Sequence, residues 1–209
     1  TDINCTTGAF DLIKACKEEG IQPIVGMEYR LGSDLLYIAL AKNEEGFREV
    51  NELITRFNLG ESELPLKNPD FNHAYTIYPT SNIPDNLADH EYIGIRPADL
   101  QTYDNPILKN KEKLVCLHPV TFQNYDQYQL HRLLRSIDNN IILSRLGDHE
   151  HASHDELMLP INKIREQYQL FPEIIRNTDR IICNCQFTFD FKFPKNKKTF
   201  TGSAYEDKM

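Results

Sequence analysis

Residues 35–40 read Leu-Leu-Tyr-Ile-Ala-Leu, a run without a charged side chain. A bilayer span needs ~18 or more apolar residues, so a run this short does not cross a membrane. It does not alternate either, so it cannot lie with one face in water. It must be a strand buried on both faces, which selects a layered α/β architecture with cover on two sides. The flanking sequence supplies that cover. Upstream, Thr6-Thr7-Gly8 offers hydroxyl N-caps, and Ala9, Leu12, Ile13 and Cys16 fall at i, i+3, i+4 and i+7 as a buried helical stripe that Gly20 stops. Residues 21–28 follow as a second strand-like run that ends at Glu28. Downstream, Asn43 caps a helix whose stripe is Phe47, Val50, Ile54 and Phe57 and whose end is Gly60.

The pattern continues in the same style. Residues 61–72 are polar, contain two prolines and read as a loop. Residues 74–78, 92–95 and 114–117 are short apolar runs that fit buried strands. Residues 126–137 form a helix with Leu130, Leu133, Leu134 and Ile137 on one face. Two shorter helices follow, at 161–168 and 172–183, the second opening on a proline where a helix tolerates it best. From 186 to 201 Phe and Lys alternate, which suits an edge strand or a linker.

Composition excludes several classes. With Asp+Glu 31 against Lys+Arg 23, the chain carries a formal charge of −8, unsuited to gripping a phosphate backbone by itself. The mean hydropathy is −0.51, and neither a membrane span nor a signal peptide is visible. Five scattered cysteines in a chain too long to depend on disulfide staples read as reduced thiols of a cytoplasmic protein. The opening Thr1-Asp2-Ile3-Asn4 gives the chain the look of a piece cut from something longer.

Two carboxylates stand out. Asp2 precedes the first helix, at the carboxyl end of a strand that the cut would have removed, and Glu28 closes the run at 21–28. Active sites of parallel α/β sheets assemble at that edge, and paired carboxylates there suit a divalent-metal hydrolase. The plainer alternative, that Asp2 caps a helix and Glu28 is a solvated strand end, is favoured on the residues alone.

The block Thr1-Asp2-Ile3-Asn4, the stretch from Gly20 to Glu28 and the block Ala41-Lys42-Asn43-Glu44-Glu45-Gly46-Phe47 resemble the PHP (polymerase and histidinol phosphatase) domain of bacterial replicative DNA polymerase III alpha subunits. Residues 114–122, His131-Arg132-Leu133-Leu134-Arg135, Asn177-Thr178 and the terminal Phe200-Thr201-Gly202-Ser203 resemble that family's continuation toward the polymerase proper. The resemblance implies a distorted seven-stranded (β/α) barrel, here incomplete at its N-terminus, over residues 1–185, with 186–209 connecting toward the polymerase palm. It also implies a cluster of two or three metal ions at the strand ends of intact members, manganese, zinc or iron, which activate water for phosphate-ester hydrolysis, in some members as a 3′–5′ exonuclease. Magnesium would serve the polymerase itself.

Carried over position by position, the ligand set is depleted. Asp2 and Glu28 are retained, but Ile3 stands where a His is expected, and in the block His118-Pro119-Val120-Thr121 the residues Pro119 and Thr121 replace an Asp and a His. Ile and Pro offer no lone pair to a metal and Thr is a poor ligand. The expectation is therefore a degenerate site in a scaffold domain with no cofactor of its own. Such a domain would sit with the rest of the alpha chain, meet DNA through the parent enzyme, bind a proofreading subunit and need no membrane. Two rivals stand beside it: an active phosphoesterase using Asp2, Glu28 and His118, and an acidic α/β interaction module.

Other clusters carry less. The stretch from Asp148 to Asp155 holds His149, His151 and His154 but is not a His-Glu-x-x-His motif, so an exposed loop is favoured. Cys183 and Cys185 lack Cys-x-x-Cys spacing and read as packing thiols. Lys195, Lys197 and Lys198, interleaved with aromatic residues, could approach a nucleic-acid backbone; a charged edge or linker is the plainer alternative.

Overall fold

A computed structural model describes residues 1–101, 106–189 and 191. Lys195, Lys197 and Lys198 lie outside the described residues. Six strands form one mixed sheet in chain order: β1 (Asp2–Ile3), β2 (Gly26–Leu31), β3 (Asp34–Ala41), β4 (Ala74–Pro79), β5 (Glu91–Ile95) and β6 (Leu114–Cys116). The pairs β1·β2, β4·β5 and β5·β6 are parallel, whereas β2·β3 and β3·β4 are antiparallel. Five α-helices complete the described part: α1 (Ala9–Glu18), α2 (Glu44–Asn58), α3 (Tyr125–Asp138), α4 (Ile161–Gln167) and α5 (Pro172–Asn184). The α/β class expected from the apolar runs is present. The described residues show six strands, with β1 and β6 at the two ends of the sheet.

Residues 35–40 behave as their composition requires. Along β3, Tyr37 and Ala39 pack on one face with Met27, Tyr29, Val50 and Ile54, the last two from α2. Ile38 packs on the other face with Ile77, Tyr92, Val115 and Leu117. The α2 boundaries follow from the sequence. The Asn43 side chain accepts the Gly46 N–H at 3.0 Å, and Gly60 takes the positive φ of +70° that lets the chain leave the helix. Gly46 is needed for a second reason: a Cβ there would stand 1.9 Å from the His73 carbonyl oxygen.

α5 is fixed to β6 by side chains. Asn177 Nδ2 donates to the carbonyls of Lys111 and Leu114 at 2.9 and 2.8 Å, and Thr178 Oγ1 accepts the Cys116 N–H at 2.8 Å. These bonds satisfy backbone groups where β6 starts and ends. After α5 the chain turns back across the molecule. Phe187 and Phe189 join Ala9, Ile13, Val25 and Phe47, and Phe191 meets the Phe10 and Phe189 rings.

Three local expectations need correction. The second strand begins at Gly26 rather than residue 21, because Pro23 has no N–H for a ladder and Ile21 is exposed; Glu28 is therefore inside β2, not at its end. Asp2 lies within β1, paired with Met27, rather than just past a strand's end. In α1 the buried residues are Ala9 and Ile13 while Leu12 is exposed, and neither threonine caps the helix. Thr6 Oγ1 donates to Asn51 of α2 instead, and the Asp2 carboxylate accepts the Gly8 N–H. No helix among the described residues is long and apolar enough to cross a membrane.

Candidate functional site

The sheet register brings the first two blocks together. Ile3 is the pairing partner of Glu28, and Glu28 in turn faces Ile38 across β2·β3. Two residues on, Arg30 shares that face of β2, because side chains along a strand alternate. Its guanidinium grips Glu28 as a fork, Nε at 3.1 Å and a terminal nitrogen at 2.9 Å from the same Oε2. The other terminal nitrogen donates to the Ser33 carbonyl at 3.0 Å, and the Thr1 hydroxyl reaches Glu28 Oε1 at 3.3 Å. Asn4, at a φ of +50°, locks the same corner: it accepts the Arg30 N–H and donates to the Arg30 carbonyl, both at 2.9 Å. Ile3 and Arg30 open onto a cleft of about 890 Å³, walled on the far side by Thr121, His131, Arg135 and the segment 148–154.

The opposite wall repeats the device. Glu156 accepts the Thr121 hydroxyl at 2.5 Å on one oxygen and meets Arg96 at 3.5 Å on the other. Arg96 and Glu156 also line a smaller pocket of about 190 Å³, and His118 and Pro119 belong to that one. His118 Nε2 lies 2.9 Å from the Leu157 carbonyl, a contact that only a protonated Nε2 can make. The expected site residues are thus divided. Ile3 and Thr121 reach the main cleft, His118 and Pro119 the adjoining pocket, and Asp2 is spent on the turn before α1.

Two histidines of the segment 148–154 approach Tyr128. His151 and His154 lie with ring centroids 5.8 and 6.4 Å from Tyr128. His131, on α3, accepts the Ala152 N–H at 3.2 Å and packs on Phe122 at 5.1 Å. Burial first, then the charges of Arg135 and His151, hold its pKa below the usual histidine value, against an opposing pull from Glu156. Among the described residues no three His, Cys, Asp or Glu side chains stand together as a metal-binding group. Cys185 is buried against the core, which pushes its thiol up to about 11, and Cys183 is exposed.

Sequence reasoning passed over Arg30, Arg96 and Glu156. The signal for the first was present: Glu28-x-Arg30 on a strand places both side chains on one face. The other pair, 60 residues apart, left none.

Comparison with known proteins places these features in a wider setting. The PHP domain family matches residues 1–177 of the chain. The DNA polymerase III subunit alpha of Streptococcus pyogenes serotype M3 is 23% identical over 191 residues, covering 88% of this chain and 18% of the relative. That of Chlamydia pneumoniae is 20% identical over 295 residues, covering 100% of this chain and 24% of the relative. The chain spans about a fifth of the length of the curated relatives it matches.

Proposed function

Since the chain belongs to the PHP domain family, we propose that it is the PHP portion of a DNA polymerase III alpha subunit, a scaffold without a metal centre of its own. The similarity to alpha subunits over nearly the whole chain supports the polymerase assignment. In this reading residues 1–185 form a PHP-type barrel that is open between β1 and β6, and 186–209 lead toward the polymerase palm. Nucleotidyl transfer, its magnesium and contact with DNA belong to the remainder of the polypeptide. The compartment is the cytoplasm, and a proofreading subunit is a partner to test.

One observation carries the scaffold reading: the fork of Arg30 on Glu28. A multinuclear site needs carboxylate and imidazole lone pairs aimed into a common space, at ~2.0–2.6 Å from each ion. Here Glu28 is held by a guanidinium, Glu156 by Thr121 and Arg96, and Asp2 by a backbone N–H, while His118 lines the adjoining pocket rather than the main cleft. Ile3 and Pro119 add no donor. These residues do not fit a two- or three-metal cluster. The positive charge that an ion would bring to the carboxylates comes instead from Arg30 and Arg96, with the directional strength of charge-assisted hydrogen bonds.

The test is elemental mass spectrometry on the purified protein after dialysis against a weak chelator, paired with a primer-digestion assay. Manganese, iron and zinc should be absent at stoichiometric level, and no nucleotide should be released. Two or more ions per chain, with nuclease activity lost in Glu28→Ala, would install the phosphoesterase reading in its place.

A further inference from the structure

The strongest unexplained feature is the direction in which α3 faces. Its polar side is turned inward. Tyr128 and Ser136 are its buried residues, Arg132 lies over the Tyr128 ring at 5.8 Å, and Arg135 Nε donates to the Glu150 carbonyl at 2.8 Å. Its apolar side is turned to solvent: Leu130, Leu133, Leu134 and Ile137 are 54%, 46%, 55% and 65% exposed. Ile142, just past the helix, is 63% exposed as well. Ordinary surface helices do the reverse. A contiguous row of large aliphatic side chains in water marks a surface that another protein surface covers.

We propose that this face of α3 is where the rest of the same polypeptide docks, the part that follows this domain in a polymerase alpha chain. The inference rests on the reading given under Proposed function and adds to it the place of contact. Two observations favour that occupant over a second copy. A covalently tethered domain docks on a small patch more readily than a free partner does, because the tether holds it at an effective concentration in the millimolar range. The relatives supply such a tethered body, since the matched region is 18–24% of a single chain. A second copy, in contrast, would bring together two molecules of formal charge −8.

The experiment uses the full polypeptide with a photo-crosslinking phenylalanine analogue at Leu134, and at Glu45 on the outer face of α2 as control. Irradiation should join position 134 to a residue beyond 209 of the same chain, with a yield independent of dilution, while position 45 gives no such product. A product that joins two copies, a product with a separate protein, or no product at 134 would overturn the proposal. A second measurement uses Leu130→Asp/Leu134→Asp in the full polypeptide. Trypsin should cleave after this domain at least tenfold faster than in the unsubstituted protein; an unchanged rate counts against the docking surface. Primer extension by the full polypeptide tests the underlying reading separately. An active polymerase without the internal cross-link defeats the docking surface alone, whereas a polypeptide without polymerase activity defeats the assignment on which it rests.

Discussion

In α2 the stripe Val50, Ile54 and Phe57 turns toward the sheet, and the outer face carries Glu45, Arg48 and Glu52 in two ion pairs at 2.9 Å. In α3 a stripe of equal regularity turns to solvent, and arginine, histidine and tyrosine turn inward. Both helices begin on an asparagine whose side chain accepts a backbone N–H three residues on, so their local chemistry is the same. What differs is the neighbour. α2 lies on a strand that needs cover on both faces; α3 lies on the segment 147–156, whose carbonyls and N–H groups call for polar partners. Periodicity reports that a helix has an apolar side, whereas the surface beneath decides which side goes down.

The largest expected effect tests how closely α2 is seated. A Cβ at Gly46 would stand 1.9 Å from a backbone oxygen, so Gly46→Val must lift the start of α2 off β3 and β4. We expect a loss of about 4 kcal/mol or more, the range of severe core disruption, read as a shift of the urea unfolding midpoint. A mild effect would mean that α2 is no more firmly held than α3.

Next comes a matched pair. Ile54→Ala deletes a side chain packed between α2 and the strands, and should cost about 3 kcal/mol. Leu134→Ala removes a side chain already in water, and in the same chain should change stability by less than about 0.5 kcal/mol. Equal losses in the two variants would break the contrast. A loss at Leu134 that appears only in the full polypeptide would sharpen it.

These contrasts also mark what the sequence made legible. β3 and β4 were readable nearly to their ends, because runs buried on both faces leave few alternatives for residues 35–40 and 74–78. The caps of α2 at Asn43 and Gly60 were equally plain. The direction of α3 was not, since it depends on the segment at 147–156, and nothing in the helix's own spacing encodes that partner. At the candidate site, that Ile3 and Pro119 offer no lone pair to a metal could be read from residue types. The ion pair of Arg96 with Glu156 could not: the two meet only because the fold joins the end of β5 to a loop 60 residues later.

The Glu28–Arg30 pair is a strand counterpart of the polar inner side of α3, and its removal should have an intermediate effect. The two side chains are 16% and 26% exposed, so the pair stands between exposed ion pairs worth ~0–1 kcal/mol and buried ones whose breakage costs ~3–5 kcal/mol. Arg30→Met should cost about 1–2 kcal/mol and leave Glu28 with the Thr1 hydroxyl as its remaining side-chain partner. Glu28→Gln/Arg30→Met should recover part of that loss, because no carboxylate is then left without its cation. A double variant no better than the single one would show that Arg30 acts through its bond to the Ser33 carbonyl instead.

The smallest effect concerns the seat of α3 itself. His131 accepts the Ala152 N–H through Nε2, which it can do only while that nitrogen is unprotonated. Burial and the nearby Arg135 and His151 lower its pKa, so the folded state binds a proton less readily than the unfolded chain, where a histidine titrates near ~6.5. The contribution is therefore fully present above that value, and is lost as pH falls through the lowered folded pKa. Protonation would also set a cation beside Arg135 at the point where the segment 147–156 rests on α3. A single neutral hydrogen bond is worth about 1 kcal/mol, which bounds the effect. His131→Gln keeps an acceptor at the same place without a titrating group, so its thermal midpoint should fall less than that of the unsubstituted protein between pH 7.5 and pH 5. Identical pH profiles would show that the segment is held by Arg135 and Asn139 through Glu150, with His131 a packing residue on Phe122.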